Sequence, residues 1–186
     1  AAFYLSFKHV EPTGKNTGLF LDVSGSMGRA DVSGMNMTAR EASACLAMVT
    51  ARTEQNYQFY GFSHELVTLD ISAKQMLKDV IKTITGLRFG STNCALPFIY
   101  ALEHKVPIEH FVVYTDNETN SHGSLQPSVA LKQYRQKTGI NATLTVVAMT
   151  ANQFSIADPT DPKMLDVVGM SIDTPTIISE FAKGNI

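Results

Sequence analysis

Apolar residues along this chain fall into two rhythms. Three short blocks, "GLFLDV" (18–23), "HFVVYTD" (110–116) and "ATLTVVAM" (142–149), are apolar over most of their length, and none alternates apolar and polar positions throughout. Blocks of that length predict strands covered on both faces, like the central strands of a parallel sheet. "YQFYGFS" (57–63) and "ELVTLDI" (65–71) are separated by His64 alone, a join that only an antiparallel hairpin permits. "MLDVVGM" (164–170) holds a further short strand.

Between these blocks the apolar spacing becomes helical. Thr38 and Glu41 fit a capping box, and Ala42, Cys45, Leu46 and Val49 follow at helical intervals, which predicts a helix over 39–53. Ser72 with Gln75 suggests another capping box, with Met76, Leu77, Val80, Ile81 and Ile84 marking the helix behind it. Residues 94–103 read as a helix with Pro97 in its first turn, Pro127 to Thr138 as one stopped by Gly139, and 175–183 as the last. "GLRFGSTN" (86–93) and "FSIADPTDP" (154–162) are loops. Strands alternating with helices predict a single α/β domain over 1–186: a mostly parallel central sheet, one antiparallel edge strand and helices on both faces.

Composition narrows the function classes. The 186 residues carry 15 Lys plus Arg against 17 Asp plus Glu, so a formal charge of -2 gives no general attraction to nucleic acid or anionic membrane. No apolar run approaches the ~20 residues of a membrane-spanning helix. The opening "AAFYLSFKHV" lacks a signal peptide's layout and begins without Met, as a fragment or a processed form would. Cys45 and Cys94 both fall in predicted helices and read as buried reduced thiols before they read as one disulfide, which favours a reducing, intracellular setting.

The strands predicted at 18–23 and 110–116 end in polar residues. "LDVSGSM" (21–27) places Asp22, Ser24 and Ser26 at alternate positions, and "TDNE" places Asp116 after the later strand. Each alone fits an ordinary polar turn. Together they put two carboxylates at the carboxyl ends of buried strands, where open parallel sheets bind ligands. Two such carboxylates repel unless a cation lies between them. Thr92, in the loop before a helix, adds another hydroxyl. A donor set of oxygens alone suits a hard ion such as Mg²⁺, which takes about six oxygens and readily keeps waters.

Asp22-Val-Ser24-Gly-Ser26, Gly90-Ser91-Thr92 and Thr115-Asp116 together resemble the metal-ion-dependent adhesion site of von Willebrand factor A domains. The resemblance implies that family's Rossmann-like fold. It also implies that Ser24, Ser26 and Thr92 contact Mg²⁺ (Mn²⁺ or Ca²⁺ as substitutes), with Thr92 depending on conformation. Asp22 and Asp116 would act directly or through water, and one position would stay open for an outside ligand, often a carboxylate. "FYLSFKHVEPTGKN" (3–16), "GSTNCALP" (90–97), "YTDNET" (114–119), "ALKQYRQKTGI" (130–140) and "AMTANQFSIADPTDPKMLDVVG" (148–169) are in addition similar to the Ro family of ribonucleoproteins. Members of that family bind small noncoding Y RNAs and misfolded RNAs, and close a ring of helical repeats with a von Willebrand factor A domain. The resemblance implies that this chain is the closing domain alone, with the ring as its partner. RNA would be reached through the parent protein, and an acidic protein or phosphate ligand would sit at the metal. It also implies a cytoplasmic location with a nuclear pool, and no membrane.

Rival chemistries fail on single residues. A haloacid-dehalogenase-type phosphatase needs a second Asp where Ser24 stands. "EPTGKNTG" has Asn16 where a phosphate-binding loop needs Ser or Thr, and "GFSHELV" lacks the closing Gly of a hydrolase nucleophile turn. No catalytic residues are expected. An extracellular adhesion or matrix-binding domain is the alternative reading of the same metal site. Lys132, Arg135 and Lys137 share one predicted helix, and read either as a solvated face or as accessory phosphate contacts.

Overall fold

The computed structural model describes residues 10–32, 36–87, 90–116, 125–150 and 156–186. The strands are β1 (Thr17–Asp22), β2 (Tyr57–Phe62), β3 (Leu66–Leu69), β4 (His110–Thr115), β5 (Thr143–Ala148) and β6 (Met164–Val168). The helices are α1 (Ala39–Thr53), α2 (Leu77–Thr85), α3 (Leu96–Glu103), α4 (Pro127–Thr138) and α5 (Thr174–Lys183), and a 3-10 turn spans Ser26–Gly28. The strands form one sheet in the order β3-β2-β1-β4-β5-β6. Every neighbouring pair is parallel except β2 with β3, so the antiparallel strand is at an edge as expected.

Apolar blocks of this kind predict strands with two covered faces, and β1, β4 and β5 are buried at every position. Their side chains divide between two cores. Leu19, Leu21, Val112, Tyr114 and Val147 face the layer that holds Leu46, Met48, Val80 and Ile178. Phe20, Phe111, Val113, Leu144 and Val146 face the layer that holds Phe98, Leu131 and Tyr134. In the second layer Phe20 stacks on Tyr60 at 4.6 Å between ring centroids, and the edge of Tyr134 meets Phe111. Gly18 makes room for that stack: a Cβ there would lie 2.5 Å from the Phe20 ring.

α1 is buried along most of its length, with Ala42, Ala44, Ala47 and Ala51 among its covered residues. Small side chains let it lie close to the sheet, where it also contacts α2 and α5. Its capping box forms as read: the Thr38 hydroxyl accepts the Glu41 N–H while Glu41 accepts the Thr38 N–H. Gly139 ends α4 at φ +73°, a conformation that favours glycine.

Two local expectations change. The Ser72 hydroxyl accepts the N–H of Lys74 and the Ser72 carbonyl that of Gln75, so this stretch closes a turn and caps no helix. α2 therefore starts at Leu77, and Met76 stands outside it, 61% exposed. Cys94 precedes α3 and does not lie on it, but both cysteines are buried free thiols. Burial pushes the Cys45 thiol up to about 11.

His110 opens β4 inside the protein, with Nδ1 2.7 Å from the Thr143 hydroxyl. Burial, and then the charge of Lys15, push it down to about 3. Unfolded histidine takes a proton near pH 6.5 and the native residue does not, so its contribution to stability is intact above that pH and is lost as the pH falls. Between pH 6.5 and 5 this group should cost about 2 kcal/mol of unfolding free energy. Denaturant titrations at the two pH values should show that loss, and His110→Gln should remove most of it.

Candidate metal centre

β1 and β4 are adjacent and parallel, with Leu21 beside Tyr114, so their carboxyl ends emerge together. Asp22 is the last residue of β1, Thr115 is the last of β4, and Asp116 follows it directly. The Thr115 hydroxyl donates to Asp22 Oδ2 at 2.8 Å, and the Ser24 N–H donates to Oδ1 at 2.9 Å. The Ser24 and Ser26 hydroxyls lie 3.0 Å apart. Asp22, Ser24, Thr92 and Asp116 are buried, and Ser26 is half-buried at the rim.

Burial raises Asp22 from 3.8 to about 6, against the lowering effect of its hydrogen bonds from Ser24 and Thr115, and the charge of Asp116 raises it further. Two buried carboxylates close enough to feel each other, bordered by hydroxyls, suit a divalent cation, whose charge would relieve both effects. Among the described residues no three His, Cys, Asp or Glu side chains cluster to hold a metal, so such a site must draw on hydroxyls.

The loop that contains Thr92 is fastened on the other side of β1. The Val23 N–H donates to the Phe62 carbonyl at 2.9 Å, carrying the pairing of β1 with β2 past Asp22. Ser63 follows Phe62 and binds the loop that contains Thr92: its hydroxyl lies 2.7 Å from the Ser91 carbonyl and its own carbonyl accepts the Asn93 N–H at 2.8 Å. His64 Nδ1 accepts the Gly90 N–H at 3.0 Å. On α1, Arg40 Nη2 donates to the Ser24 carbonyl at 2.8 Å and to the Val23 carbonyl at 3.3 Å, which holds the Asp-Val-Ser turn in place.

Sequence reasoning missed Arg40, Ser63 and His64. Arg40 lies inside an amphipathic helix, where an arginine is normally solvated. Ser63 and His64 could have been found from their place at the carboxyl end of the strand beside Asp22. Of the basic residues on α4, Lys132 pairs with Asp158 at 2.7 Å. Arg135 pairs with Asp161 and also donates to the Ala142 and Lys163 carbonyls, tying α4 to the residues that lead into β5 and β6. Lys137 is exposed on the last turn.

The family described as the Ro60 vWA domain matches residues 17–182. The chain is 40% identical over 186 residues to the RNA-binding protein RO60 of Deinococcus radiodurans, covering 100% of this chain and 35% of that one. It is 37% identical over 187 residues to the RNA-binding protein RO60 of Caenorhabditis elegans, covering 29% of that protein. The chain thus spans about a third of the length of these relatives. The crystal structure of the Deinococcus radiodurans RO (RSR) protein superposes with a TM-score of 0.88 over 100% of this chain and 37% of that one, at 40% identity.

A carboxyl group whose native pKa is raised stabilises the fold only at low pH, and that contribution is lost as the pH rises through about 6. At pH 7.5 in EDTA the buried Asp22 charge is therefore a cost. Asp22→Asn should raise stability there by up to about 3 kcal/mol. Thermal melts in EDTA and in excess Mg²⁺ should show this gain in EDTA and no response of the variant to Mg²⁺.

Proposed function

The chain belongs to the Ro60 vWA domain family, and on that premise we propose that it is a non-enzymatic interaction domain of an RNA-binding protein, whose rim site binds Mg²⁺ and presents it to an anionic ligand. The observation that carries the metal part is the buried Asp22 carboxylate, raised by desolvation and by Asp116 and bordered by the Ser24 and Ser26 hydroxyls. Ser24 and Ser26 would supply neutral oxygens to the ion, and Thr92 a third from its loop. Asp22 and Asp116 would bind it directly or through waters. Few formal negative charges leave the ion electron-poor, so a carboxylate or phosphate oxygen is its favoured outside ligand. Arg29 adds positive charge at the same rim: Nη2 lies 3.7 Å from where a side chain would begin at Gly25.

RNA binding in this reading belongs to the whole protein, of which a domain this size is about a third in the relatives. The relatives named as RNA-binding support it, as do the five stretches shared with the Ro family. The domain would close a ring of helical repeats, with Y RNA and misfolded noncoding RNA reached through that parent in the cytoplasm. Accessory phosphate contact on α4 would fall to Lys137, since Lys132 and Arg135 are engaged with carboxylates. A non-catalytic role accords with Ser24 standing where a phosphatase would carry its acid. Among the described residues no helix is long and apolar enough to cross a membrane.

Calorimetric titration with Mg²⁺ and with Mn²⁺ tests the metal part. Binding should be abolished by Asp22→Ala and weakened at least tenfold or so by Asp116→Ala, with circular dichroism unchanged for the second variant. Absence of any binding heat in the unmodified protein would sink the metal reading. Global unfolding of Asp116→Ala would make Asp116 a structural residue.

A further inference from the structure

The peptide groups on either side of Thr92 are both held by one residue. The Ser91 carbonyl belongs to the bond that enters Thr92, and it accepts the Ser63 hydroxyl at 2.7 Å. The Asn93 N–H belongs to the bond that leaves Thr92, and it donates to the Ser63 carbonyl at 2.8 Å. Ser63 Oγ also lies 3.1 Å from the Gly90 carbonyl, but its single proton serves the shorter contact best. The next residue, His64, accepts the Gly90 N–H on Nδ1, which puts the proton of the neutral ring on Nε2.

Ser63 is itself immobile. It is fully buried, it follows Phe62 in register with Asp22, and its N–H donates to the Glu65 carbonyl at 2.8 Å across the β2–β3 turn. Rotating the backbone at Thr92 would pull a peptide group away from Ser63 and strand a hydroxyl in a fully buried residue, which is unfavourable.

We infer that Ser63 and His64 are positioning residues of the metal centre: Ser63 fixes both peptide planes around Thr92, His64 anchors the same loop two residues earlier at Gly90, and together they set where the Thr92 hydroxyl stands relative to the ion. This rests on the metal reading above. The strand that flanks Asp22 thus aligns the loop carrying the third hydroxyl, and neither Ser63 nor His64 touches the ion.

A double-mutant cycle read by Mn²⁺ affinity tests this. Ser63→Ala should weaken Mn²⁺ binding about tenfold, the lower end of what outer partners of metal ligands cost. Added to Thr92→Ala, it should cost less than about twofold more, because its target is gone. His64→Leu, at an exposed side chain, should weaken binding in the same direction. His64→Asn should restore it, since Asn Oδ1 can take the Gly90 N–H in place of Nδ1. Equal factors in both backgrounds, or an unchanged affinity in Ser63→Ala, overturn the inference while leaving the metal reading intact. No Mn²⁺ binding by the unmodified protein overturns both. Should melting curves show Ser63→Ala unfolded, the His64 pair decides: equal affinities for His64→Leu, His64→Asn and the unmodified protein overturn the inference.

Discussion

Asp22 ends a central strand with its carboxylate out of water, accepting one backbone N–H and one hydroxyl. The donors that Ser24 and Thr115 supply do not replace the hydration of an ionised carboxylate, and Asp116 nearby worsens the balance. The elements around it converge on that unmet charge. β4 brings Thr115 and Asp116 from one side, and β2 brings Ser63 and the Thr92 loop from the other. The sheet order therefore does chemical as well as structural duty. Placing β1 between β2 and β4 brings groups from three distant parts of the chain to one end of one strand.

Much of this was legible in the sequence because burial on both faces leaves a plain mark. A strand packed on two layers is apolar on both faces, and 18–23, 110–116 and most of 142–149 are. The capping box at Thr38 and the glycine stop at 139 were legible because each depends on neighbours within four residues. Ser72 carried the same local signal as Thr38, yet its oxygens closed a turn. The difference lies in tertiary packing: α2 buries Val80 and Ile84 and begins only where the chain has turned far enough to do so. At the rim, Asp22, Ser24, Ser26 and Asp116 could be picked out from residue type and their place after apolar blocks. Arg40, Ser63 and His64 were not picked out, because their roles are hydrogen bonds to backbone carbonyls and N–H groups, which any sequence could provide.

The basic face of α4 shows how charge in a sequence can mislead about partners. Lys132 and Arg135 look outward in a helical projection. In the fold their carboxylate partners come from 158–161, and Arg135 also gathers the carbonyls of the residues that lead into β5 and β6. Arg135 and its partner Asp161 are largely shielded from solvent, which makes that pair a clamp on the edge of the sheet.

α1 joins two duties in one rigid body. Its alanines set how near it lies to the sheet, and its Arg40 grips the carbonyls of Val23 and Ser24. A helix seated on such short side chains has little slack. Any bulkier replacement along that seam would lift it and drag the rim turn with it. Evolutionary drift in the middle of this helix is thus coupled to the shape of the turn after β1, and substitutions remote from Asp22 can shift the carbonyls that Arg40 holds beside it.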